Sequence, residues 1–74
     1  MTKAQLKRFV RTRNTSPHIS NLQVQFDAEA CGFKVDALGK AEKVNDGHYR
    51  WDTPHGVLEE HAGVWNLDGD ECID

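Results

Sequence analysis

Residues 48–67, HYRWDTPHGVLEEHAGVWNL, decide how this chain folds. The stretch contains both tryptophans, Trp51 and Trp65, and the only tyrosine, Tyr49. Aromatic side chains bury more apolar area than aliphatic ones, so a small domain condenses around them. We therefore expect both tryptophans to be core anchors. An exposed Trp65 would instead be a leading contact residue for a partner protein.

An Asn-Asp-Gly turn at residues 45–47 precedes this stretch and predicts a hairpin between the segments on either side. Two registers fit the turn. If Gly47 takes the left-handed position of a three-residue loop, Glu42 lies opposite Arg50. A two-residue turn instead pairs Val44 with Tyr49, and the sequence does not choose between them.

A second turn, Thr53-Pro54-His55-Gly56, carries proline in its favoured second position. The segment after it, 57–61, fits a short helix or a meander strand equally well. Residues 63–67 predict the last strand. Residues 68–74 form an acidic tail that we expect to fray.

The N-terminal segment predicts an amphipathic helix over residues 3–13. Thr2 and Gln5 have the spacing of a capping box, in which the two residues satisfy each other's backbone N–H groups. Apolar residues then follow at helical spacing. They are Leu6, Phe9 and Val10. Ser16-Pro17 comes next and ends the helix, because the residue before a proline disfavours helical geometry.

The segment 21–30, NLQVQFDAEA, is compatible with two structures. Strict alternation of apolar and polar residues favours a half-buried strand, and it also places Val24 inside. Against this, Ser16-Pro17 could begin a helix and Gly32 could end it. Such a helix would have one apolar face made of Ile19, Leu22, Phe26 and Ala30. The strand is the preferred prediction, with residues 20–27 and 32–38 forming a hairpin.

Together these elements predict an α+β fold in one small domain spanning residues 1–74. A helix over about 3–13 packs on an antiparallel meander of four or five strands, residues 20–67 are mostly strand, and 68–74 are the acidic tail. A chain of 74 residues buries a small core. Pairing with a second copy would bury more, so a homodimer is one expected partner arrangement.

Charge is divided unevenly along the chain. Residues 1–13 contain five bases and no acid, whereas the remainder contains four bases and all twelve acids. Exposed bases on one helix face grip phosphate backbones by releasing counterions. Nucleic-acid binding through the basic helix face is therefore an alternative function, carried by Lys3, Lys7, Arg8 and Arg11.

The acidic surface supports the preferred function, a small binding module that regulates, assists or inhibits another protein. Carboxylates on the sheet and tail would present a negative patch to a basic partner. The predicted contact residues are Asp52, Glu59, Glu60, Trp65, Asp68, Asp70 and Glu71.

The histidines suggest a third function, metal binding. His48, His55, His61 and Cys72 have the right ligand chemistry for zinc, but their spacings match no established zinc signature. No serine, cysteine or phosphate-loop motif accompanies them, so we predict neither an enzyme nor a cofactor. The N-terminus lacks a signal-peptide core, no stretch has membrane-spanning length, and the two cysteines are sparse. These features predict a cytoplasmic protein with reduced thiols and no membrane partner.

Overall fold

Two helices pack on one face of a four-stranded antiparallel sheet in the computed structural model, which describes residues 1–15 and 21–73. The elements are α1 (Lys3–Thr15), α2 (Asn21–Ala30), a short 3₁₀ helix (Val35–Leu38), β1 (Glu42–Asn45), β2 (His48–Thr53), β3 (Gly56–His61) and β4 (Val64–Leu67). The strands follow one another in chain order, as a meander. The predicted α+β class, with an N-terminal helix on a meander sheet, is confirmed.

The first helix begins as predicted. The Thr2 N–H donates to Gln5 Oε1 at 2.8 Å, and the Gln5 N–H donates to Thr2 Oγ1 at 3.1 Å. This capping box satisfies donors that the helix itself leaves open. Leu6, Phe9 and Val10 are fully buried. The helix continues to Thr15, and the predicted stop at Ser16-Pro17 lies outside the described residues.

The preferred prediction for residues 20–27 is wrong, because residues 21–30 form α2 rather than a strand. In a strand the neighbours Asp27 and Ala28 would point to opposite faces, whereas both are buried here, as a helix allows. Asp27 Oδ2 accepts a hydrogen bond from Arg13 Nη1 of α1 at 2.7 Å, and its Oδ1 accepts one from Gln23 Nε2 at 2.9 Å. Ala28 beside it is fully buried. This long-range ion pair and the small alanine hold α2 against α1 as a helix.

The second arm of the predicted hairpin, residues 32–38, is also wrong as a strand. Phe33 is buried edge-on against Phe9, with ring centroids 5.4 Å apart, and Leu38 is buried at the end of the 3₁₀ helix. The apolar residues of this segment do reach the core, but from a turn rather than from an extended chain. Gly39 follows with φ 81°, a left-handed conformation that glycine adopts without strain.

The first hairpin combines features of both expected registers: Asn45 pairs with His48 across a two-residue turn, whereas the strand beyond it has the pairing expected of the three-residue loop. Glu42 pairs with Arg50, and Gly47 has φ 74°. A shift in register between Lys43 and Asn45 makes this pairing compatible with the closing pair Asn45–His48. Such a bulge bends and twists the outer strand.

The expected role of core anchor is confirmed for Trp65, whereas Trp51 is only partly buried and packs against the core. Trp51 and Trp65 stack with centroids 5.2 Å apart, and Phe9 of α1 meets Trp65 edge-on at 5.3 Å. Residues 57–61, for which the sequence allowed either a helix or a strand, belong to the strand β3. Leu58 of this strand is fully buried in the core. The sheet therefore has one face covered by helices and one face open.

Candidate interaction surfaces

The open face of the sheet is identified by strand pairing. Side chains alternate between the two faces along a strand, and paired residues on neighbouring strands share a face. Leu58 points toward the helices, so its neighbours Val57 and Glu59 point away from them. A residue paired with Val57 or Glu59 on a neighbouring strand lies on the same face as they do. Residues two positions before or after such a residue on the same strand also share the open face. This open face consists of Glu42, His48, Arg50, Asp52, Val57, Glu59, His61, Val64 and Asn66.

Three carboxylates from three adjacent strands surround Arg50 on the open face. Arg50 Nη2 donates to Asp52 Oδ1 at 3.1 Å. This hydrogen bond, then the charge of Asp52, raise the pKa of the Arg50 guanidinium, and the charges of Glu42 and Glu59 act in the same direction. Arg50 therefore stays cationic, and the three carboxylates outnumber it.

Two histidines continue this polar network toward His48, the first residue of β2. His48 Nε2 donates to Glu59 Oε2 at 2.7 Å. The His48 ring stacks on the ring of His61 of β3, with centroids 4.7 Å apart and planes 20° apart. The open face thus presents a connected polar surface that runs across β1, β2 and β3.

The predicted acidic contact residues divide between the two faces. Asp52 and Glu59 lie on the open face, whereas Glu60 pairs with Tyr49 and Trp65 and so points to the helical side. The sequence prediction missed Glu42. The signal for it was the Glu42–Arg50 pairing of the three-residue loop, which brings this carboxylate beside the others.

The acidic residues of the tail serve the C-terminal turn instead. Asp68 Oδ1 accepts a hydrogen bond from the Val57 N–H at 2.8 Å, and Asp70 Oδ1 accepts one from the Cys72 N–H at 2.9 Å. The carbonyl of Glu71 accepts one from Asn14 at 2.9 Å. All three acids are exposed, but their contacts place them at the C-terminal turn and α1 rather than on the open face. Asp74 lies outside the described residues.

Trp65 is a core residue and not a surface contact. Only 3% of its surface is exposed, and Arg13 Cζ lies 5.8 Å from its ring centroid. Its expected role as a core anchor is therefore confirmed, and its burial keeps it away from the surface that a partner protein could contact. Trp51 is half-buried beside it.

Of the five basic side chains of α1, one is buried in an ion pair and four are exposed. Arg13 is buried in its ion pair with Asp27. The four exposed bases are Lys3, Lys7, Arg8 and Arg11. None of these four belongs to an ion pair within residues 1–15 and 21–73. Three of them line an open cleft between α1 and the C-terminal segment, together with Asp70 and Cys72.

The four candidate zinc ligands, His48, His55, His61 and Cys72, do not converge. His48 and His61 stack at one end of β2, whereas His55 lies at the other end, where its Nε2 donates to the Met1 carbonyl at 2.9 Å. Cys72 lies in the cleft beside α1. Among the described residues, no group of three or more histidines, cysteines or acids is arranged to hold a metal ion.

Cys31 and Cys72 are not joined by a disulfide bond, and their environments differ. Cys31 is buried and Cys72 is half-buried. Burial raises the pKa of the Cys31 thiol, while a hydrogen bond with Thr12 and the charge of Arg8 act more weakly in the opposite direction. Cys31 is therefore a core residue that favours its neutral form.

Comparison with known proteins adds no functional information, because no family model, curated protein or solved structure matches this chain. Within residues 1–15 and 21–73, neither helix combines the length and the apolar composition needed to cross a bilayer.

Proposed function

We propose that this chain is a small, non-enzymatic binding protein that docks a positively charged partner protein on the open face of its sheet. The observation that carries the proposal is the convergence of Glu42, Asp52 and Glu59 around Arg50, on the face without helices. A partner's lysines and arginines would find three carboxylates there, and Arg50 would orient them. Such complementarity speeds association and selects among partners.

The neighbouring side chains suit recognition as well. His48 and His61 supply flat polar rings beside Glu59, and Val64 is 44% exposed on the same face. Interfaces of this kind combine an apolar or aromatic centre with a polar rim. The partner would be a basic protein, for instance one whose own ligand is a nucleic acid that the carboxylates imitate.

Two further aspects of the biology stay predictions. We place the protein in the cytoplasm, where the thiols of Cys31 and Cys72 would remain reduced. Self-association would use the exposed apolar pair on α2. These side chains are Leu22 and Phe26, 57% and 54% exposed.

Affinity capture from a lysate of the source cells, with bound proteins identified by mass spectrometry, tests the proposal. The test variant is Glu42→Gln/Asp52→Asn/Glu59→Gln, which removes the carboxylate charges with little change in shape. The control, Glu29→Gln/Asp36→Asn/Asp46→Asn, removes the same charge from exposed acids elsewhere. We expect a basic protein to be retained by the wild type and the control and lost from the test variant. Equal retention by both variants, or capture of acidic proteins only, would overturn the proposal.

A further inference from the structure

A second surface lies on the helical side of the molecule, away from the open face. Lys3, Lys7 and Arg11 follow one another at four-residue steps along α1, so they form one row on its outer side. Arg8 stands next to this row. All four side chains are exposed. We define them as the basic row.

The fold separates the basic row from the acids that could neutralise it. Arg13, the fifth base of this segment, turns inward to Asp27 at 2.7 Å, whereas no acid of the described residues forms an ion pair with the basic row. Asp70 is the one carboxylate that lines the cleft with Lys7, Arg8 and Arg11, and its Oδ1 already accepts the Cys72 N–H. The cleft is therefore lined by three cationic side chains and by one carboxylate that already accepts a backbone hydrogen bond.

We propose that the basic row binds the phosphate backbone of a nucleic acid, as a function separate from the open face of the sheet. The eight residue-to-residue steps from Lys3 to Arg11 span about 12 Å of helix axis. Phosphates of one duplex strand advance by about 3.4 Å along the axis, so the row runs beside roughly three or four of them. Arg8 and Arg11 add planar guanidinium groups, which suit phosphate oxygens.

A polyanion fits the basic row better than an apolar protein surface does. The exposed large apolar side chains of the described residues lie on α2, on the sheet and at Ile73, and none is on α1. Binding would therefore be mostly electrostatic, independent of base sequence and weak at physiological salt.

Fluorescence anisotropy with a labelled, mixed-sequence DNA duplex of about 20 base pairs tests this function, with a single-stranded RNA of equal length as the second probe. We expect affinity for the duplex to fall about 50-fold between 50 mM and 200 mM salt, which corresponds to between three and four neutralised phosphates. Lys7→Ala/Arg8→Ala/Arg11→Ala should weaken binding at least tenfold at 50 mM salt. Alanine favours helix, so α1 should persist in this variant, which circular dichroism can verify.

The matched control is Lys34→Ala/Lys40→Ala/Lys43→Ala, which removes the same charge from exposed lysines outside α1. It should bind within about twofold of the wild type, since the cleft is untouched. Three outcomes would overturn the inference. They are no binding of either probe at 50 mM salt, equal losses in both triple variants, or competition by polyglutamate as effective as by unlabelled DNA, which would indicate an acidic protein ligand. Failure here leaves the capture experiment on the open face unaffected.

Discussion

Gly56 is the residue at which the backbone tolerates a side chain least. Its φ of 136° is unfavourable for residues with a side chain, and a Cβ there would collide with the Asp68 carboxylate. That carboxylate accepts the Val57 N–H at 2.8 Å and so ties the start of β3 to the C-terminal turn. Any residue with a side chain at position 56 would therefore both strain the backbone and displace Asp68.

We predict that Gly56→Ala lowers the free energy of unfolding by about 3 kcal/mol. Gly39→Ala is the control, because Gly39 has φ 81° but nothing within 4 Å of the added Cβ. It should lose only about 1 kcal/mol, the strain alone. Urea titrations followed by tryptophan fluorescence measure both values. Equal losses in the two variants would show that the Asp68 contact is unimportant.

Arg13 and Asp27 form the buried ion pair that joins α1 to α2, with 3% and 9% of their side chains exposed. Removing one of these side chains takes away the opposite charge of this ion pair from the other, which costs about 3–5 kcal/mol. We predict losses of this size for Arg13→Met and for Asp27→Leu in urea titrations. The double variant should lose much less than the sum of the two. Additive losses would contradict a direct interaction between these side chains.

Cys31 makes stability depend on alkaline pH. Burial raises its thiol pKa in the folded protein, so the unfolded chain ionises first as the pH rises. The stabilising effect of the neutral buried thiol is complete below the ordinary thiol pKa of about 8.5 and is lost as the pH rises through the folded value. We predict that the free energy of unfolding falls as the pH rises above about 8.5, and that it falls less steeply in Cys31→Ala. Parallel curves for the two proteins would refute this.

At the scale of the elements, β4 is an edge strand, and a side chain of α1 forms hydrogen bonds with the backbone on its outer side. Asn14 Nδ2 donates to the Trp65 carbonyl at 2.7 Å, and its Oδ1 accepts the Trp65 N–H at 2.7 Å. Further along, Leu67 and Asp70 exchange backbone hydrogen bonds at 2.8 and 3.0 Å. Asn14 thus replaces a neighbouring strand, and an edge closed in this way is less available for aggregation.

Asn14→Asp keeps the acceptor and removes the donor, so the carbonyls of Trp65 and Glu71 lose their bonds. We predict a loss of about 2–3 kcal/mol in the free energy of unfolding. Asn66→Asp is the matched control, because Asn66 acts there only as an acceptor, for the Gly69 N–H at 3.2 Å. The control should be nearly neutral. Similar losses in both variants would mean that the added charge, not the lost donor, is responsible.

The sequence predicts those elements whose causes are local. The capping box at Thr2, the apolar spacing of α1 and the turns before β2 and β3 all act within a few residues, and these elements are confirmed. The helix α2 instead makes a long-range contact, since its Asp27 pairs with Arg13, fourteen residues earlier in the chain. Its apolar pair Leu22 and Phe26 faces outward, the reverse of the helical alternative considered from sequence. Alternation alone could not reveal either fact.

At the scale of the whole molecule, the fold turns the uneven charge of the sequence into two separate surfaces. The basic row lies on α1, and the carboxylates around Arg50 lie on the open face. The sequence indicated both charges, and the predicted contact residues Asp52 and Glu59 lie on the same face of the sheet. It could not exclude Glu60 or the tail acids, because which face a residue occupies depends on strand register and on contacts such as Asp68–Val57.

Site-specific photocrosslinking in cells of the source organism tests the central claim, binding through the open face, most directly. A benzophenone amino acid is placed at Val64 on the open face and, as control, at Asp36 on the helical side, both exposed. We predict a covalent adduct with a basic protein from position 64 only, and its loss in the background Glu42→Gln/Asp52→Asn/Glu59→Gln. Adducts from position 36 alone, or an adduct at 64 that survives removal of the three carboxylates, would contradict the account.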